Sequence, residues 1–164
     1  MEKIVENKLK IGKSLVHVFH HRVTKEDAMH VLAMHLYEGG YVKASFGAAV
    51  LEREKVFPTG LPTEPVGVAI PHTDAEHVRV SALAIGILSY PVLFQEMGSV
   101  DEEIRVNIIS MLAIADPTLV VPVLRNLALI YQDAEFLAYL KDSGNEERVL
   151  HLLKSRIPDV IELV

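Results

Sequence analysis

Val68-Ala69-Ile70-Pro71-His72-Thr73 is the stretch on which the reading of this chain turns. Three consecutive apolar residues read as the end of a buried strand. Pro71 fixes its own φ, lacks an N–H and drives Ile70 towards extended geometry, so the backbone leaves the sheet at a defined angle. His72 then stands at the rim, where an imidazole is presented for chemistry rather than buried as filler.

Upstream, Pro58-Thr59-Gly60-Leu61-Pro62-Thr63-Glu64-Pro65 is too rich in breakers for regular structure and reads as a loop feeding a strand from Val66 to Ile70. Before it, a helix is predicted from Lys43 to Lys55, with Phe46, Ala49 and Val50 facing inward. An earlier helix opens at Thr24-Lys25-Glu26-Asp27, where Thr24 can cap and Asp27 suits the first turn. Ala28, Val31, Leu32, His35 and Leu36 follow at helical spacing, and Gly39-Gly40 ends the element. A first strand is predicted from Ser14 to Phe19.

Downstream, Val78 to Leu88 and Arg105 to Ala115 are strand candidates dominated by Val, Ile and Leu. Beyond Asp116-Pro117 the period becomes helical, with Val120, Val123, Leu124, Leu127 and Ile130 on one face. Further helices are expected at Asp133–Lys141 and Glu146–Arg156, separated by Ser143-Gly144-Asn145. With no repeat and no long linker, this order predicts a single three-layer α/β domain over residues 1–164.

Composition narrows the function classes. The chain has 164 residues, 50% of them hydrophobic and 23% charged, as expected of a well-packed soluble globule. Its formal net charge is −6 and no dense basic cluster interrupts that balance, which argues against nucleic acid as a partner. The absence of cysteine excludes disulfides, thiolate metal sites and a cysteine nucleophile. The start Met1-Glu2-Lys3-Ile4-Val5-Glu6 lacks the apolar block of a secretion signal. The longest apolar stretch, Val80 to Phe94, is about 15 residues long and interrupted by Pro91, too short to span a bilayer. A cytoplasmic location is expected, with no membrane insertion.

Several constellations compete for the chemistry. Arg53 lies near the end of the second predicted helix, and the Pro/Gly loop can return the chain so that Arg53 and His72 meet. A neutral imidazole nitrogen is a competent nucleophile towards phosphorus, and an arginine fork with turn N–H groups can hold the transferred oxygens. Phosphoryl transfer needs mainly positioning and charge stabilisation. The bland reading is a structural histidine and a surface arginine. His72, Asp74, Glu76 and His77 crowd one turn and raise a metal site, but their spacing is looser than a zinc signature. His77 reads instead as a solvated turn residue or a partner of His72. His17, His20, His21, His30 and His35 are read as a solvated rim. Ser81 and Ser89 suggest a hydrolase only weakly, because no Gly-x-Ser-x-Gly elbow occurs. Neither a P-loop nor a dinucleotide fingerprint is present.

The series Arg53-Glu54, Pro58-Thr59-Gly60-Leu61 and Gly67-Val68-Ala69-Ile70-Pro71-His72 resembles the enzyme IIA domain of the sugar phosphotransferase system (PTS), mannitol/fructose superfamily, EIIA type 2. The similarity extends over nearly the whole chain. Phe57-Pro58-Thr59-Gly60 and the Thr-Asp-Ala-Glu-His run after His72 look closest to the galactitol-specific branch. The resemblance implies a mixed β-sheet flanked by α-helices. It also implies a phosphohistidine carrier acting beside a membrane sugar transporter, with no cofactor and no metal. In such proteins the histidine of the Pro-His pair accepts a phosphoryl group from the phosphocarrier HPr and passes it to a cysteine of the cognate enzyme IIB. By motif match His72 takes the acceptor role and Arg53 the phosphate-stabilising role, with Thr59, Thr73 and His77 as supporting residues.

The chain departs from the mannitol and fructose pattern at one point. Those members carry a second histidine at the start of the helix after the last core strand, where this chain reads Asp116-Pro117-Thr118-Leu119. Galactitol-like members resemble this chain in lacking it, and His77 is the expected substitute. Leu61, Val66 and Val68 are expected to form an apolar docking rim, and the acidity of the chain suits a basic donor. Two rivals are a regulatory binding module, which senses phosphorylation without onward transfer, and a metal-dependent hydrolase built on His72, Asp74 and His77.

Overall fold

A computed structural model describes residues 9–99 and 101–156 together with the backbone of 161–163. The charged start Met1–Glu6, on which the reading of a missing secretion signal rests, lies outside the described residues.

The strands are β1 (Leu9–Ile11), β2 (Val16–Phe19), β3 (Gly60–Leu61), β4 (Gly67–Ala69), β5 (Ala82–Gln95), β6 (Glu103–Ala113) and β7 (Ile161–Leu163). They form one sheet in the order β3-β4-β6-β5-β1-β7, with β2 also pairing with β5. The sheet is mixed: β5 and β6 run antiparallel, while β4 lies parallel to β6 and β2 parallel to β5. The helices are α1 (Lys25–Glu38), α2 (Phe46–Val56), α3 (Val120–Ile130), α4 (Ala134–Lys141) and α5 (Glu146–Lys154).

Period-two alternation along β5 divides the core. Leu83, Ile85 and Ile87 pack with Val123, Leu127, Phe136, Leu140 and Val149, which places α3, α4 and α5 on one face. Ala82, Ala84 and Leu88 pack with Met29, Leu32, Leu36, Phe46 and Val50, so α1 and α2 cover the other. The expected three-layer α/β arrangement is therefore present. Local chemistry starts the helices: Thr24, Asp133 and Asn145 side chains accept the amide N–H three residues on, from Asp27, Phe136 and Arg148.

Several expectations need correction. The Pro58–Pro65 segment is not wholly irregular, because Gly60 and Leu61 pair antiparallel with Ala69 and Val68. The prolines bracket that short pairing without occupying it. Strand β5 begins at Ala82 and runs past Leu88 through Pro91 to Gln95. A register shift between Ile87 and Val92 accommodates the missing N–H of Pro91. Ser14 and Leu15 belong to a 3₁₀ turn, so β2 starts at Val16. Strand β1 was not legible: three residues offer too little pattern, and their register comes from distant partners.

Strand β4 is seated by close backbone approach. A Cβ built on Gly67 would lie 2.4 Å from the Arg105 carbonyl oxygen of neighbouring β6, closer than any real contact. Only glycine lets the strand that leads to His72 sit this tightly against β6.

Candidate active site

Helix α2 ends in Arg53-Glu54, and successive residues on a helix point about 100° apart. Arg53 is therefore half-buried at the surface, while Glu54 turns inward and is 6% exposed. Glu54 takes two kinds of donor from Thr59, itself 3% exposed. Its Oε1 accepts the Thr59 N–H at 2.8 Å, and the Thr59 hydroxyl lies 3.1 Å from Oε1 and 2.9 Å from Oε2. Burial pushes the Glu54 carboxyl up to about 7, with the Thr59 donors and Lys25 opposing.

The same Thr59 hydroxyl accepts the Ile70 N–H at 3.1 Å. Ile70 in turn offers its carbonyl to His72 Nδ1 at 2.9 Å. The next carbonyl, of Pro71, accepts the N–H of Leu112 on β6 at 2.9 Å. The turn that carries His72 is thus held at Ile70 N and at Pro71 O. A carbonyl only accepts, so Nδ1 carries the hydrogen and Nε2 keeps its lone pair. Burial holds the half-buried His72 below the ordinary imidazole pKa; the Ile70 carbonyl opposes, and the Arg53 charge adds to the lowering. A neutral, Nε2-nucleophilic imidazole is the outcome at neutral pH.

Arg53 Nη1 lies 3.7 Å from Asp74 Oδ1, two residues beyond His72. Its guanidinium carbon sits 4.4 Å from the centre of the Phe57 ring. Arg53 Nε is buried with no hydrogen-bond partner among the described residues. Arginine, aspartate and histidine therefore converge on one patch, as the loop reading expected for Arg53 and His72. An arginine whose charge is felt at an imidazole with a lone pair to spare suits an anion with several acceptor oxygens.

The supporting residues divide. Thr59 is part of the scaffold under His72. Thr73 is half-buried directly after it. His77 is engaged elsewhere: Nδ1 lies 2.7 Å from Ser45 Oγ, and Nε2 lies 3.6 Å from Glu76 Oε1. No hydrogen bond joins His77 to His72 among the described residues. At the position of the missing second histidine, the Asp116 carboxylate accepts from Thr118 N and Oγ1, which lowers its pKa.

Other readings are corrected. Val68 is fully buried in the core and cannot line a docking rim, whereas Leu61 and Val66 are half-buried. Phe57, 56% exposed against Arg53, supplies apolar surface there instead. The histidines are not all a solvated rim: His17 Nδ1 lies 3.0 Å from His35 Nε2, because β2 packs against α1. Burial and the His35 charge lower the His17 pKa. Ser81 is buried and accepts the Ala115 N–H, so it is no nucleophile. Asp74 faces Arg53 and His77 faces Ser45, and no metal-holding cluster of three such groups occurs among the described residues.

Sequence reasoning missed two residues. Glu54 carries no role in the motif reading, although a charge at the helical spacing of the inward-facing Phe46 and Val50 is a signal. Asp74 was read only as a metal ligand, although two residues after His72 it is within reach of an arginine.

Comparison with known proteins shows the family. The profile of the family "Phosphoenolpyruvate-dependent sugar phosphotransferase system, EIIA 2" matches residues 10–156, and the chain belongs to that family. It is 30% identical over 116 residues to the transcriptional regulator ManR of Bacillus subtilis (strain 168), across 70% of this chain and 16% of that protein. It is 32% identical over 88 residues to the galactitol-specific EIIA component of Escherichia coli (strain K12), across 54% of this chain and 58% of that one. The chain thus spans only part of the length of these relatives. In fold it is similar to enzyme IIA of the Escherichia coli mannitol system, solved in complex with phosphorylated enzyme IIB. The TM-score is 0.73 at 24% identity, covering 90% of this chain and 99% of that one. No helix among the described residues is long and apolar enough to cross a membrane.

Proposed function

We propose that this chain is one EIIA type-2 domain that carries phosphoryl groups in the sugar phosphotransferase system, with His72 as acceptor. The observation that carries the reading is the His72 ring itself. Nδ1–H is spent on the Ile70 carbonyl, which leaves the Nε2 lone pair for chemistry, and the Arg53 charge bears on the same ring. Phospho-HPr is the donor and a cysteine of enzyme IIB the onward acceptor, as the family membership supports.

The Nε2 lone pair attacks phosphorus, a new N–P bond forms, and the bond to the donor's nitrogen breaks with its electron pair returning to that nitrogen. The proton on His72 Nδ1 stays against the Ile70 carbonyl. The phosphorylated ring is then cationic, which makes it a good leaving group for the second transfer. Arg53, with Thr73 and nearby backbone N–H groups, meets the oxygens of the passing phosphoryl group. Phe57 and Leu61 offer apolar surface for brief contact with each partner. Galactitol or a related polyol is the proposed sugar, on the strength of the galactitol-specific relative.

The test is incubation with phosphoenolpyruvate, enzyme I and HPr. Wild-type protein gains one acid-labile phosphate and His72→Ala gains none; label retained by that variant overturns the assignment. A second reading, a regulatory module, is favoured by the likeness to ManR. Discharge onto an enzyme IIB cysteine separates the two, since a carrier empties and a sensor keeps its phosphate.

A further inference from the structure

We infer that the buried Glu54–Thr59 pair is a positioning unit for His72, acting through Ile70 to hold the imidazole in its Nε2-nucleophilic tautomer. The inference rests on the phosphocarrier reading for its kinetic consequence, but not for the tautomer itself.

The argument follows the hydrogens. Thr59 has one hydroxyl proton and gives it to the Glu54 carboxylate, 2.9 Å away at Oε2. Its oxygen is then an acceptor only, and it takes the Ile70 N–H. Without that acceptor the Ile70 amide, at a residue 1% exposed, would be an unsatisfied buried donor. Ile70 would have to shift to find one. Its carbonyl is the group that accepts from His72 Nδ1, so a shift of Ile70 releases the ring. The Leu112 bond to Pro71 O pins the far side of the turn but touches neither Ile70 nor the ring. Glu54 and Thr59 flank the phenylalanine–proline bend that closes α2, so the helix delivering Arg53 also sets the register of the histidine turn.

Charge state matters to this unit. The ionised carboxylate matches the donor layout, accepting from Thr59 at both N and Oγ1. A protonated Glu54 must itself donate, and among the described residues its hydrogen-bond partner is Thr59, whose oxygen is then shared between that proton and the Ile70 N–H. With burial holding the Glu54 pKa near 7, the grip on Ile70 tightens as the pH rises through neutrality. The charged groups bearing on the pair and the ring are Lys25 from α1, Arg53 beside Glu54, and Asp74 beyond His72.

The near-isosteric Thr59→Val removes the acceptor. The ring ¹⁵N resonances of unphosphorylated full-length protein report the tautomer, and the expected result is loss of the Nδ1–H form in favour of a mixture. Acceptance from phospho-HPr falls ~10- to 100-fold, the scale of a small misplacement of a reacting group. Thr59→Ser restores both. Wild-type tautomer and rate in a folded Thr59→Val overturn the inference. If that variant does not fold, Glu54→Gln decides: wild-type acceptance rises through about pH 7 and the glutamine variant lacks that rise, whereas superimposable profiles overturn the inference. Phosphate on His72→Ala would sink the carrier reading and leave the NMR result standing, so the two failures are distinguishable.

Discussion

Exchanging Glu54 for glutamine gives a stability test whose sign and size both come from the structure. The carboxyl is 6% exposed, and burial raises its pKa from 4.5 to about 7. Between those values the folded protein keeps a proton that the unfolded chain has released. Stability therefore falls as the pH rises through that window. That rise in pKa corresponds to about 3 kcal/mol in full, most of it falling between pH 5 and 8. Glutamine stays neutral at both, and its amide can accept from Thr59 N and donate to Thr59 Oγ1. The lowered pKa values of His17 and His72 act in the opposite direction, but they are shared by both proteins and cancel in the difference. Urea denaturation at pH 5 and pH 8 is the assay. The two proteins should be nearly equal at pH 5, and the glutamine variant more stable at pH 8 by a midpoint shift of about 1 M. An equal gap between the variants at both pH values would refute the buried-carboxyl argument.

Arg53→Ala should leave the fold and thermal midpoint close to wild type, because the side chain is half-buried at the surface, yet slow phosphoryl acceptance. The loss is bounded above by the ~10³–10⁵-fold seen when an arginine is withdrawn from a phosphoryl-transfer site, and unchanged stopped-flow kinetics would make Arg53 a bystander. Gly67→Ala forces a Cβ against the Arg105 carbonyl, where backbone meets backbone and nothing flexible can yield. About 1–3 kcal/mol of destabilisation is expected in chemical denaturation, and a neutral result would mean that β4 can slide along β6.

What the sequence disclosed was local. Pro71 placed His72 at the rim because proline restricts its own φ and its neighbour's ψ wherever it occurs. Thr24 marked a helix start because its hydroxyl serves an amide three residues away. What stayed hidden depended on partners far along the chain. Gly60-Leu61 is a strand only because Val68-Ala69 lies opposite, and Pro91 is tolerated only because β5 shifts register there. His17 looked like rim because nothing in its own neighbourhood reveals that α1 brings His35 within 3.0 Å. At the site, Arg53 and His72 were legible from the motif. The inward turn of Glu54 follows the spacing of Phe46 and Val50, but its bond to Thr59 was hidden, because it depends on the path of the loop after the helix.

Arg53 and Glu54 carry opposite charges on one helical turn, and each takes a polar group out of water. Arg53 Nε is buried with no hydrogen-bond partner among the described residues, and ionising the buried Glu54 carboxyl opposes folding. Two such groups side by side next to one histidine agree with the proposed roles at that histidine. Their roles are separable by geometry. Arg53 lies on the Asp74 side, where incoming oxygens can satisfy its free donor. Glu54 lies beneath, bonded to Thr59, which in turn holds Ile70. In the proposed mechanism one residue meets the phosphoryl group and the other fixes the ring that receives it. Losing the first should therefore weaken transfer with the tautomer intact, while breaking the second chain should disturb the tautomer before any phosphate arrives.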